Sequence, residues 1–301
     1  MEPRESQARL VGALLVAVGA IAFSGKGVII KVAYRYGVDP LTLLALRMLF
    51  SAPFFLLLAW WATRGPDVAP LSWADRRAVV VMGLIGYYLA SYFDFLGLQH
   101  ITAALARLLL FVHPTFVLLI SAVLFGRKIT RRDVFAIVLS YLGIVLVFGN
   151  DLATQGGNVA LGSFWTLLSA LFYAAYLVGS GRLVGRVGTL RFAAYAGLVS
   201  SIAVVAHFVV TRDAALIVSQ PTPVYWLALL MALASTVLPI VLTMEGIRRI
   251  GASHASIVAS IGPLATIALG AVFLGESITA VQVAGAALVL AGVLTISLQK
   301  K

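Results

Sequence analysis

The chain has 301 residues, 61% of them hydrophobic and only 11% charged, with a mean hydropathy of +1.04, and so few charges cannot keep a globule in solution. These figures exclude a water-soluble enzyme or binding module and point to an integral membrane protein. A formal net charge of +11 would suit nucleic acid, but the basic residues sit in alternate loops, the pattern of an insertion signal facing anionic lipid.

Apolar runs long enough to cross a bilayer as helix follow one another with short polar breaks, and they lack the alternation of barrel strands. The pattern predicts ten transmembrane helices: Leu10 to Ile30, Leu41 to Trp61, Ala78 to Leu98, Ile101 to Phe125, Asp133 to Phe148, Leu161 to Gly179, Leu190 to Val210, Val224 to Gly246, Ala252 to Leu274, and Thr279 to Leu298. The first run is too long for a signal-peptide core and lacks a small-residue cleavage site, so it reads as a retained helix. Gly65-Pro66, Gly156-Gly157 and the run Gln220 to Pro223 mark turns. With no cysteine, disulfides, thiolate metal sites and thiol redox chemistry are excluded.

Sixteen of the 22 Lys and Arg residues fall on the N-terminal side of this topology; Lys31, Arg35 and Arg212 lie on the other, and Lys26, Arg47 and Arg107 lie inside helices. The positive-inside rule therefore predicts a multi-pass protein of the cytoplasmic (inner) membrane with both termini in the cytoplasm.

Gly97, Ile101, Ala103, Ala106 and Pro114 recur 149 residues later as Gly246, Ile250, Ala252, Ala255 and Pro263. FGRKIT at Phe125 matches LGESIT at Leu274, and Gly143 matches Gly292. The expected fold is therefore all-α, with ten transmembrane helices in two five-helix repeats, 1–150 and 151–301. An odd number of crossings makes the second copy inverted relative to the first, an arrangement that recurs in secondary transporters.

On these features the chain resembles the EamA family of the drug/metabolite transporter superfamily over essentially its whole length. The resemblance rests on the ten-helix duplication, on Lys31 and Arg47 in KVAYRYGVDPLTLLALRMLF, on the Pro114 and Pro263 helices, and on the LGESIT turn. It implies a transporter of small metabolites, often an exporter, with a central cavity lined by helices one to four and six to nine. The chain departs from the family pattern at Phe23-Ser24, where a Trp-Gly pair is frequent, and its first copy has Gly126-Arg127 where the second has Gly275-Glu276. The first helix has no acid after Glu5, unlike the small multidrug relatives whose exchange uses a glutamate there, so proton-driven drug antiport by that route is not expected.

Lys26, Arg47, Asp94 and Arg107 lie on four different helices, four to six residues from the same face. At about 1.5 Å per residue, that places all four roughly 6 to 9 Å deep. A charge in the bilayer interior costs on the order of 3 kcal/mol, so these four should converge away from lipid. Two readings remain open. One is a binding zone of net charge +2 for an anionic or zwitterionic solute; the other is a structural clasp in which Asp94 pairs with a cation while Lys26 reaches up to the interface.

Helical spacing aligns Trp165, Ser169, Tyr173 and Tyr176 on one face, Gly83, Tyr87, Ser91 and Asp94 on another, and Ser253, Ser256 and Ser260 on a third. Rings with polar tips suit an organic solute, while the serine stripe serves equally for close helix packing. His113 and Asp94 are the candidate proton-coupling groups, and Pro114, Pro239 and Pro263 the candidate hinges. Gly285 and Gly292 offer a close-packing face for a second copy, a homodimer.

No H-E-x-x-H, P-loop or G-x-S-x-G motif is present, and His100, His113, His207 and His254 are scattered, so no metal, nucleotide or other cofactor is expected. The sequence favours a secondary transporter of a small organic metabolite, an amino acid or related carboxylate, working by alternating access. Its rivals are a membrane-embedded enzyme or lipid-modifying protein built on Asp94, Arg107 and His113, and a passive facilitator of the same fold.

Overall fold

A computed structural model of the chain describes residues 3–64, 70–154 and 158–297; the turn signals Gly65-Pro66 and Gly156-Gly157 lie outside the described residues. Among these every regular element is helical, and eight helices are long and apolar enough to cross a membrane. They are α1 (Pro3–Tyr34, apolar from Leu10), α2 (Pro40–Ala62), α3 (Trp73–Leu98), α4 (Ala103–Phe125), α5 (Arg131–Thr154), α6 (Val159–Val187), α7 (Thr189–Thr211) and α9 (252–274). The eighth helix, α8 (222–250), is apolar over the shorter stretch Thr222–Val237, and α10 (Ala280–Ser297) over Ala280–Thr295.

Local chemistry sets the boundaries. Asp39 caps α2 by accepting from the Leu41 and Thr42 amides, with Pro40 at the first helical position, where its missing N–H costs nothing. Thr102 caps α4 through the Leu105 amide at 3.1 Å, so that helix begins two residues later than its hydrophobic pattern implies. Gly251 takes φ 77°, a conformation that few residues but glycine adopt, and this separates α8 from α9.

Four helices are irregular inside the bundle. Helix α3 widens to π geometry over Gly83–Leu89 and α8 does so over Leu233–Val237. Helix α4 breaks after Leu110 and resumes at His113, and α9 breaks after Ala259 and resumes at Gly262. Pro114 and Pro263 therefore stand at the first turns of the resumed segments instead of interrupting continuous helix, because a proline is tolerated where no upstream carbonyl awaits its N–H. Pro239 follows directly on the π segment of α8.

Two crossings lock the bundle through glycines. A β-carbon at Gly97 would stand 2.9 Å from the Gly162 carbonyl oxygen, and one at Gly246 would stand 2.9 Å from that of Gly12, so α3 meets α6 as α8 meets α1. A third contact pairs α5 with α10: Gly285 faces Gly143, and Gly292 faces Ser140 and Ala136. The face expected to receive a second copy at Gly285 and Gly292 is thus covered by α5 of the same chain. The largest buried cluster draws most heavily on α2 and α4 and includes Leu43, Leu44, Phe95, Leu105 and Phe208.

Candidate functional site

The four intramembrane charges come together inside this packing. Lys26 Nζ on α1 lies 2.6 Å from Asp94 Oδ2 on α3, with the two side chains 13% and 2% exposed. The contact is an ion pair, and Asp94 Oδ1 has no hydrogen-bond donor among the described residues. Lys26 therefore does not reach up to the interface; the neighbouring carboxylate supplies what solvent would have.

The arginines are held by hydroxyls instead of by the acid. Arg47 of α2 is 7% exposed and donates through Nη2 to Thr236 Oγ1 of α8 at 3.2 Å, while its Nε and Nη1 have no partner among the described residues. Arg107 of α4 donates through Nη2 to Ser24 Oγ of α1 at 3.2 Å, and its Nε is likewise unpartnered. Aromatic faces flank both: the Arg47 guanidinium lies 5.9 Å from the Phe95 ring, and that of Arg107 lies 5.1 Å from each of Phe23 and Phe111. Asp94 is within electrostatic range of Lys26, Arg47 and Arg107, so one carboxylate faces three cations.

Each buried guanidinium N–H without an acceptor costs about 1–3 kcal/mol, and here three nitrogens are in that state. An oxyanion is the chemistry that would satisfy them. The space beside the cluster is nevertheless small: the cavity bounded by Phe23, Ser24, Lys26, Asp94, Arg107 and Thr266 has a volume of ≈ 20 Å³. That is room for about one water molecule and not for an organic solute.

A row of tyrosines continues from the charges. Tyr87 meets Tyr176 edge-on at 5.5 Å, Tyr176 stacks on Tyr173 at 5.9 Å, and Tyr173 meets the His113 ring at 5.2 Å. The π segment of α3 carries Gly86 against the Tyr176 ring, closer than any side chain would allow, and this brings α3 and α6 near enough for the tyrosines to touch. His113 Nδ1 lies 2.9 Å from the Leu110 carbonyl oxygen, within the break of its own helix.

Two expected members stand apart. Trp165 stacks on Phe93 at 5.5 Å and 6°, in an aromatic group with Phe164, while Ser169 one turn on donates to the Ala90 carbonyl. Ser260 sits at the break in α9 and donates to the Ile257 carbonyl of its own helix. Of Ser256 only the backbone is described, so its expected place at the site lies outside the described residues.

Sequence reasoning missed Thr236 and Ser24 as partners of the arginines, and the group in which Tyr88 bonds His207 Nδ1 at 2.9 Å beside Tyr92. Ser24 was visible only as a departure from a Trp-Gly pair. Nothing in the pattern of α8 marks Thr236, since a π segment shifts the register on which facing is counted.

The EamA-like transporter family matches the chain twice, over residues 10–149 and 160–298. A Bacillus subtilis (strain 168) protein named uncharacterized transporter YcbK is 32% identical over 277 residues, covering 91% of this chain and 88% of that one. A Salmonella typhimurium protein named uncharacterized inner membrane transporter YicL is 24% identical, covering 96% of each. A solved crystal structure shares the fold with a TM-score of 0.64 at 19% identity, over 98% of both chains.

Proposed function

The chain belongs to the EamA-like transporter family and is a multi-pass membrane transporter, and from that premise we propose that it is a secondary transporter exporting a small organic metabolite by alternating access. In this reading α1–α5 and α6–α10 are two inverted five-helix repeats, giving ten crossings. The double family match supports the repeat, as do the matched glycine crossings of α3 on α6 and of α8 on α1. So does the matched placement of the π segments and helix breaks. Both termini lie in the cytoplasm, and the Asp94 end of α3 faces outward, on the strength of the basic-residue asymmetry.

The observation that carries the substrate class is the pair of buried arginines with unpartnered N–H groups around a Lys26–Asp94 ion pair. An amino acid or related carboxylate fits it: the carboxylate is taken by Arg47 and Arg107, and its organic portion lies against Tyr87, Tyr173 and Tyr176. Ser24 and Thr236 hold the guanidinium planes in place for this. The breaks before Pro114 and Pro263 and the π segment before Pro239 are the bending points. His113, at the break in α4, is the group whose protonation changes with access.

The test is an unbiased comparison of metabolite uptake and efflux in cells with and without the protein, followed by flux of the identified solute in liposomes. A carboxylate-bearing solute moving down or against its gradient supports the reading. Chemical turnover of a substrate without net movement would replace it with a membrane enzyme.

A further inference from the structure

A second cavity lies away from the buried charge cluster. It lies farther along α1, towards the end of the bundle where α4 begins and α9 ends, has a volume of ≈ 370 Å³, and is lined by Lys31, Tyr34, Arg35, Thr102, Leu274 and Glu276. Small-molecule sites run from about 300 to 1,000 Å³, so the recess has room for a small solute where the ≈ 20 Å³ space beside Asp94 does not. Lys31 is five residues beyond Lys26 on α1, about 7.5 Å of helical rise, and Thr102 in the recess is next to Ala103, which lines the deeper space.

Its charges are placed by helix ends. Glu276 Oε1 accepts from the Ala103 amide at the start of α4 at 3.0 Å, where a carboxylate complements the helix dipole. Its Oε2 is buried and has no partner among the described residues. Lys31 Nζ donates to the Ile101 carbonyl at 2.7 Å and stands 4.0 Å from Glu276, and Arg35 donates to the final carbonyls of α9, Leu274 at 2.6 Å and Phe273 at 3.4 Å. Lys31 and Arg35 leave donors over, and Glu276 leaves one acceptor oxygen. A recess lined by two cations with spare donors and by one carboxylate matches a solute that carries both an anionic and a cationic group.

The repeat supplies a contrast. At the positions 149 residues away from Lys31, Arg35 and Glu276 stand Ser180, Val184 and Arg127, and Arg127 pairs with Asp133 instead. The repeat-related positions therefore do not carry the same set of charges.

We propose that this recess is a second solute site, specific for small zwitterions of the α-amino-acid type, on the route between the Lys26–Asp94 cluster and the medium. Lys31 and Arg35 take the carboxylate, and the Glu276 carboxylate takes the ammonium. The proposal rests on the transport reading for its place on a route, but its test reads occupancy and not flux.

The protein lacks cysteine, so Leu274→Cys places a single thiol in the recess. The full chain in lipid nanodiscs is treated with a maleimide, and the labelling rate is read with L-alanine, propionate, alaninamide or propionamide present at millimolar concentration. The expected result is that alanine slows labelling by about tenfold, that propionate and alaninamide do so less, and that propionamide has no effect. Adding Glu276→Gln brings alanine down to the level of propionate. Protection that ignores the charges of the probe, or none from alanine, overturns the proposal and leaves the central site standing. Loss of flux in Arg107→Ala with recess protection intact separates the two.

Discussion

Lys26 and Asp94, 68 residues apart on α1 and α3, form a 2.6 Å ion pair with Asp94 almost wholly enclosed. Two arginines look onto that pair without bonding to it, each tied to a hydroxyl on another helix. The arrangement leaves one negative charge shared among three positive ones, and the following expectations come from that imbalance and from the packing that enforces it.

Removing one partner of the pair leaves an enclosed charge. Asp94→Asn and Lys26→Met should each lower stability by about 3 kcal/mol, while the double variant Lys26→Met/Asp94→Leu recovers most of the loss. Thermal unfolding of the purified protein in detergent checks the cycle. Additive losses in the double variant would mean that the two groups do not act as a pair.

Thr236→Val keeps the shape of the side chain and deletes the acceptor for Arg47 Nη2. A further buried N–H is then unsatisfied, which should cost about 1–3 kcal/mol of stability. If Arg47 binds the solute carboxylate, the same change should raise the half-saturating solute concentration with little change in maximal flux. Arg47→Lys, which keeps the charge but loses the planar fork, should reduce flux further.

The crossing of α3 on α6 has no room for a side chain. Gly97→Val should destabilise by about 1–3 kcal/mol or prevent folding, because the Gly162 backbone cannot move away. Gly149→Ala on α5, with no neighbour within 4 Å of the added carbon, should instead raise stability by about 0.5–1 kcal/mol. Melting temperatures of the two variants should move in opposite directions.

Orientation can be read with single thiols in the cysteine-free chain. Ser219→Cys lies at the exposed turn between α7 and α8, and Thr189→Cys at the exposed start of α7. An impermeant maleimide should label the first in intact cells and the second only after permeabilisation. The reverse pattern would invert the topology proposed from the basic loops.

Much of this organisation was legible in the sequence, for definable reasons. Helices were read from apolar length, and the depth of Lys26, Arg47, Asp94 and Arg107 from residue counts, since insertion cost forces such groups together. The count brought the four charges to one level, but the clasp reading set Lys26 at the interface, whereas it pairs with Asp94; that pair and the Arg47–Thr236 and Arg107–Ser24 bonds depend on how helices face one another. The π segments at Gly83–Leu89 and Leu233–Val237 add a residue per turn and carry no compositional mark, so facing counted along α3 and α8 drifts there. Trp165 shares a stripe with Tyr173 and Tyr176 by spacing, but its ring stacks on Phe93 and not on those tyrosines. Glu276 was read only as a marker of the repeat, because its partners, the Ala103 amide and Lys31, come from the opposite end of the sequence.

The most direct test of the central claim is flux of the identified solute into and out of liposomes holding the purified protein, compared with Asp94→Asn and Arg107→Ala variants shown to be folded. The account predicts that Arg107→Ala abolishes or reduces flux by at least about tenfold and that Asp94→Asn alters it strongly, because these groups present the charge the solute meets. Flux equal to that of the unaltered protein in both variants would contradict the claim, leaving the buried charges as a structural clasp and the solute path elsewhere.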